Sequence, residues 1–202
     1  ERGHAEHFRK TAHAPSNISD KHIEAAYLCA HQSLHALLAN IPNKHEARML
    51  AGLPWFFQVW SRDELISLKA WLLTNHAGLA KRIIFSNLEQ INYEGRLANA
   101  YPPNKLASAD SIGWLFRRVH DFLVHAGKTL TEKERGAIKE RLEHAMYLLI
   151  KYHTKELLDY NESLETWMDT KYNEADTGRA GARVEIQALR LQGYHLLHKL
   201  TK

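Results

Sequence analysis

Apolar residues recur three and four positions apart along most of this chain, and nowhere alternate with period two for long enough to make a convincing strand. The first run opens at Asp20 and carries Ile23, Tyr27, Leu28, Leu34, Leu37 and Leu38 before Pro42 closes it. The next carries Leu65, Leu68, Leu72 and Leu73, pauses near Asn75 and Gly78, and resumes through Ile83, Ile84, Leu88 and Ile91. Ile112, Leu115, Phe116, Val119, Phe122, Leu123 and Ala126 share one face of a helix expected to begin at Ser108. Ile138, Leu142, Ala145, Leu149 and Tyr152 mark another, and Val184 to Leu200 the last. The pattern predicts an all-α protein of about six helices in about three pairs. No solenoid repeat emerges.

The punctuation between these runs sets the organisation. Residues 1–19 are polar, rich in histidine, and read as a loosely packed arm; residues 20–202 read as one helical domain, long enough to bury a core. Ser61 with Glu64, and Thr131 with Glu134, have the spacing of capping boxes. Two long loops, 93–107 and 160–182, interrupt the helices, and loops of that length usually have a task.

Charge and cysteine usage narrow the function classes. Lys and Arg number 27 against 23 Asp and Glu, a net charge of +4. The signs alternate, as in Glu132-Lys133-Glu134-Arg135, which fits a solvated helix face better than a phosphate-binding stripe, so no nucleic-acid partner is expected. The single cysteine, Cys29, excludes an internal disulfide and reads as inert core. No apolar stretch approaches the ~20 residues needed to span a bilayer, and no signal-peptide pattern opens the chain. The expectation is a cytoplasmic, reduced protein without membrane contact, its sequons at Asn17 and Asn161 unused. His31 and His35 stand four apart, but no third ligand lies near in sequence, so no metal or other cofactor is expected.

Chemistry concentrates at three loop-to-helix junctions. The first runs Pro54-Trp55-Phe56-Phe57-Gln58-Val59-Trp60-Ser61-Arg62-Asp63-Glu64. Its leading aromatics, Trp55, Phe56 and Phe57, read as a staple and core. Asp63 suits a first helical turn, whereas Arg62 opposes the helix dipole and is therefore more informative. The second junction holds Asp110 within Ala107-Ser108-Ala109-Asp110-Ser111, where helix capping is the plain reading. The third joins Thr166-Trp167-Met168-Asp169 to Arg179, Gly181, Val184 and Glu185. Carboxylates beside tryptophan and arginine at three helix starts suit a sugar site, since indole faces stack on a pyranose while Asp and Arg bond its hydroxyls.

These junctions, in this order, resemble the signatures of glycogen debranching enzymes, specifically their amylo-α-1,6-glucosidase domain. Ala51 to Asp63 resembles the glycine-proline-tryptophan-phenylalanine to tryptophan-glycine-arginine-aspartate motif, and Ala107 to Phe116 resembles the Asn-Ser-x-Asp-Ala segment. Thr166 to Asp169, with Arg179 to Leu189, resembles the third signature. The resemblance implies an (α/α)6 toroid, with about half of the ring in this chain, and inverting hydrolysis at α-1,6-glucosidic branch points of glycogen or limit dextrin. It implies Asp110 as catalytic general acid, with Trp60, Arg62, Asp63, Trp167, Asp169 and Glu185 binding the glucan.

Ser61 replaces the family's glycine, and Arg190 stands where a tryptophan usually follows, suggesting a lost aromatic surface. The family's general base lies beyond Lys202, so a C-terminal segment or self-association is expected to complete the ring. A glucoamylase or trehalase type of α-glucan hydrolase, or a catalytically silent helical module binding glucan or protein, are the competing readings.

Overall fold

The computed structural model describes residues 14–40, 47–103, 107–174 and 178–202. Within them lie six α-helices: α1 (Lys21–Ala36), α2 (Ser61–Leu73), α3 (Ala77–Glu89), α4 (Ser111–Ala126), α5 (Glu132–His153) and α6 (Val184–Leu200). The helical reading of the periodicity is thus correct. Residues 1–13 of the expected arm, and Pro42, lie outside the described residues.

Helix α4 runs through the middle of the core, burying Ile112, Leu115, Phe116, Val119 and Phe122. It packs against α2, α3 and α6, while α5 packs against α3 and α6. The three helices whose starts carry the sequence signatures therefore pack in a row, α2 on α4 and α4 on α6, although α3 and α5 separate them along the chain. Leu65, Leu68, Trp71 and Leu72 of α2, Ile83, Ile84 and Leu88 of α3, and Ile138, Leu142 and Leu149 of α5 complete one cluster. Burying each such side chain contributes roughly 1.5–3 kcal/mol. Two glycines let α6 come close: a Cβ on Gly113 would lie 2.5 Å from Leu189 Cβ, and one on Gly193 would lie 2.7 Å from Met146 Cε.

The connections contain short antiparallel ladders that the periodicity did not announce. They pair β1 (Leu38–Asn40) with β2 (Ala47–Met49), and β3 (Val59–Trp60) with β5 (Ala100–Tyr101). They also pair β4 (Leu97–Ala98) with β6 (Ala107–Ser108), and β7 (Thr154–Lys155) with β8 (Leu158–Asp159). Because β6 is engaged with β4, α4 begins at Ser111 and not at Ser108.

The two capping boxes have opposite outcomes. Thr131 Oγ1 accepts from Glu134 N at 3.2 Å, and Glu134 Oε2 accepts from Thr131 N at 2.8 Å. At α2 the box does not form: Ser61 Oγ donates instead to Ala98 O at 2.7 Å. Glu64 turns inward to a fully buried, two-pronged ion pair with Arg48, at 2.9 and 2.8 Å, and also accepts from Met49 N and Asn87 Nδ2 at 2.9 Å each. A buried arginine outcompetes the helix terminus for that carboxylate.

Other expectations are corrected. Trp55, Phe56 and Phe57 are 76%, 56% and 66% exposed, in and just after a turn closed by the Gly52–Phe56 bridge, and form neither staple nor core. Cys29 is exposed, because α1 buries none of its residues fully. Among the described residues, no helix is long and apolar enough to cross a membrane.

Candidate active site

The first signature is fixed in place by the ladder that precedes it. Val59 and Trp60 pair with Tyr101 and Ala100, and Ser61 N donates to Asn99 O at 3.0 Å, so the start of α2 is bound to the loop leading to α4. From there the Arg62 side chain crosses to the second signature. Its Nε donates to Asp110 Oδ2 at 2.8 Å, and its Nη2 reaches Thr166 O, in the third, at 3.2 Å.

Asp110 is 2% exposed and stands at the N-cap of α4, yet its side chain makes no capping bond. The plain capping reading is therefore wrong. Ser108 is nearer that role, its Oγ accepting from Ser111 N at 3.3 Å. Ser108 Oγ also donates to Asp110 Oδ1 at 2.7 Å and contacts Ser111 Oγ at 2.6 Å. With one hydroxyl proton committed to Asp110, Ser108 receives the proton of Ser111. Both Asp110 oxygens are thus engaged, one by a hydroxyl and one by a guanidinium.

Asp63 is exposed at the mouth of this junction. Its carboxyl is nevertheless pushed up from the ordinary range, first by dense packing on its inner side. Arg62 and its own backbone N–H oppose that shift, while the charges of Asp110 and Asp169 add to it. Asp63 therefore senses both other carboxylates, with Arg62 beside it.

The third signature forms an adjoining cluster. Trp167 is 57% exposed, with the Arg179 guanidinium 5.8 Å from its ring centre. Arg179 Nη2 donates to Glu185 Oε1 at 2.5 Å, tying the tryptophan side of the loop to the start of α6. Ala109 N donates to Glu165 O at 2.8 Å, bringing this cluster beside Asp110. Trp60 is half-buried, and its indole Nε1 has no hydrogen-bond partner among the described residues.

Several contributors escaped sequence reasoning. Arg179 stood inside the quoted signature, but nothing in its spacing announced a link between Trp167 and Glu185. Arg96 is 3% exposed and bonds Glu165 Oε2 at 2.7 Å and Tyr160 O at 3.0 Å, holding the two long loops together. Arg190 corrects another expectation. It is buried against Asp159, 3.2 Å away, and Met146 Sδ, 3.6 Å away, so its position faces the interior and not a sugar surface. Among the described residues, the group able to hold a metal ion is not here but near the opposite end of α2, at His31, His35 and His76.

The sequence profile of the amylo-alpha-1,6-glucosidase family matches residues 18–202. This chain belongs to the amylo-α-1,6-glucosidase family. No curated protein matches it. Membership of this glycosidase-type family gives the convergence of the three signatures a chemical meaning. They supply an arginine, several carboxylates and an exposed indole at adjoining helix starts, the groups with which a glucan-acting protein bonds hydroxyls and stacks sugar rings.

Proposed function

We propose that the chain forms the glucan-binding and acid-bearing part of an amylo-α-1,6-glucosidase that hydrolyses α-1,6-glucosidic branch points of glycogen or limit dextrin with inversion. The observation that carries this reading is the reach of Arg62, which bonds Asp110 and Thr166 O and so joins all three signatures at one guanidinium. Asp110 is the proposed general acid, delivering a proton to the glycosidic oxygen as the bond breaks. Asp63, Arg62 and Asp169 are proposed to bond the hydroxyls of the terminal glucose. Trp60, Trp167 and Glu185 are proposed to line its approach.

Acting as an acid requires Asp110 to leave its ion pair and carry a proton. Substrate hydroxyls drawing Arg62 away, together with exclusion of water, would favour that change. The attacking water needs a second carboxyl roughly 6.5–9.5 Å from the first. In this proposal that base comes from beyond Lys202, on helices that complete an (α/α)6 toroid, either as further chain or by self-association. The setting is proposed to be cytoplasmic, and the partner a glucan.

A second reading has one observation in its favour. Asp110 is buried and both its oxygens are occupied, as they would be in a silent module that binds glucan without cleaving it. Glucose release from limit dextrin, compared with maltose and trehalose, separates the readings. Release from limit dextrin alone supports the branch-point enzyme. Release from maltose or trehalose points to the related hydrolases, and glucan binding without any release identifies the module.

A further inference from the structure

Far from the carboxylates, three imidazoles meet. His31 and His35 occupy successive turns of α1, and His76 stands at the N-cap position of α3, 41 residues further along the chain than His35. Their ring centres lie 4.8 Å apart for His31 and His35, 5.3 Å for His35 and His76, and 5.7 Å for His31 and His76. Each can offer one ring nitrogen such that all three nitrogens fall within 4.8 Å of one another. Nitrogens bound to one zinc at ~2.0–2.1 Å stand about 3.3–3.4 Å apart, so binding requires the rings to turn and draw together by about an ångström or more.

The surroundings hold the three residues close together. Trp71, wholly buried and donating from Nε1 to Met49 Sδ at 2.9 Å, sets its ring 4.7 Å from His35 and 5.1 Å from His76. His76 N donates to Trp71 O at 2.8 Å, which anchors the backbone of the third histidine. Thr74 supplies an outer partner. Its hydroxyl donates to Ala70 O at 2.9 Å, so at 3.1 Å it accepts from His76 Nδ1–H. That choice of tautomer leaves the Nε2 lone pair for a metal, the arrangement usual for histidine ligands.

We propose that His31, His35 and His76 form a binding site for a divalent transition-metal ion of the zinc class, which fastens α1 to the α2–α3 turn. Imidazole donors suit zinc, copper and nickel, whereas the absence of a carboxylate from the trio disfavours magnesium and calcium. Three protein nitrogens fill all but one position of a tetrahedral ion, and water takes the fourth. Since α1 buries none of its residues fully, a metal joining it to α2 and α3 would hold an element that packing alone holds weakly.

The test is titration of the chelator-treated 202-residue chain with zinc by calorimetry, with a thermal melt at each loading. The expected result is one saturable site that raises the melting temperature and is lost in His76→Ala. Thr74→Val should weaken the same site by about 10–100-fold. His144→Ala, which removes an exposed histidine of α5, should leave it unchanged. If His76→Ala does not fold, His76→Asn and Thr74→Val carry the comparison, with circular dichroism establishing that each is helical. Absence of a saturable site in the parent chain, or undiminished affinity in the His76 variants, overturns the proposal.

Discussion

Arg62 Nε stands 2.8 Å from Asp110 Oδ2, joining two helix starts 48 residues apart, with side-chain exposures of only 13% and 3%. Neither residue is placed there by the needs of its own helix. An arginine in a first turn opposes the helix dipole, and Asp110 caps nothing with its side chain. Their mutual contact is what the local structure shows for both.

The pair should therefore be energetically coupled. In a double-mutant cycle of Arg62→Ala and Asp110→Asn, measured by urea unfolding, the expected coupling is about 0.5–3 kcal/mol. Additive effects would mean that the contact contributes nothing to the fold.

A larger effect is expected away from the site, at Arg48 and Glu64. Both side chains are fully buried, and two further bonds, from Met49 N and Asn87 Nδ2 to Glu64, depend on their arrangement. Removing one partner strands the other charge, so Arg48→Ala should cost about 3–5 kcal/mol. Thr131→Ala, which removes a solvent-facing cap, should cost about 1 kcal/mol. Equal losses in urea unfolding would contradict the burial argument.

These two sites also show how far the sequence could be read. The helices, the box at Thr131 and the chemical character of the three junctions were legible, because they depend on spacing and residue type. Glu64 was not, since its rival partner Arg48 comes from a strand sixteen positions away whose pairing has no periodic signature. The start of α4 was misplaced for the same reason: β6 belongs to a tertiary ladder. Arg179 and His76 were missed because their partners converge only in space.

Close packing of α4 on α6 gives a third expectation. Gly113→Ala would press a methyl against Leu189, and overpacking of this kind costs about 1–3 kcal/mol. Thermal unfolding of the variant checks it. An unchanged melting temperature for Gly113→Ala would show that the helices have room to separate.

His153 should make stability depend on pH. Burial, then the nearby charges of Arg96 and Arg190, hold its pKa down to about 4 from an ordinary 6.5, with a backbone hydrogen bond at Glu94 pulling the other way. The unfolded chain therefore takes up a proton near pH 6.5 that the folded chain refuses until about pH 4. The contribution is complete above pH 6.5 and is lost as pH falls towards 4. Urea midpoints between about pH 7 and about pH 4 should fall less steeply in His153→Gln than in the parent chain. Parallel slopes would contradict a partly buried imidazole that stays neutral in the folded chain.

The most direct test of the proposed function is the rate of glucose release from limit dextrin by Asp110→Asn in the complete active protein, with its melting temperature taken on the same sample. Loss of a general acid should lower turnover by about 10²–10⁴-fold while glucan affinity stays near that of the parent. A variant that turns over normally, with only its stability reduced, would contradict the assignment and leave Asp110 as the structural partner of Arg62.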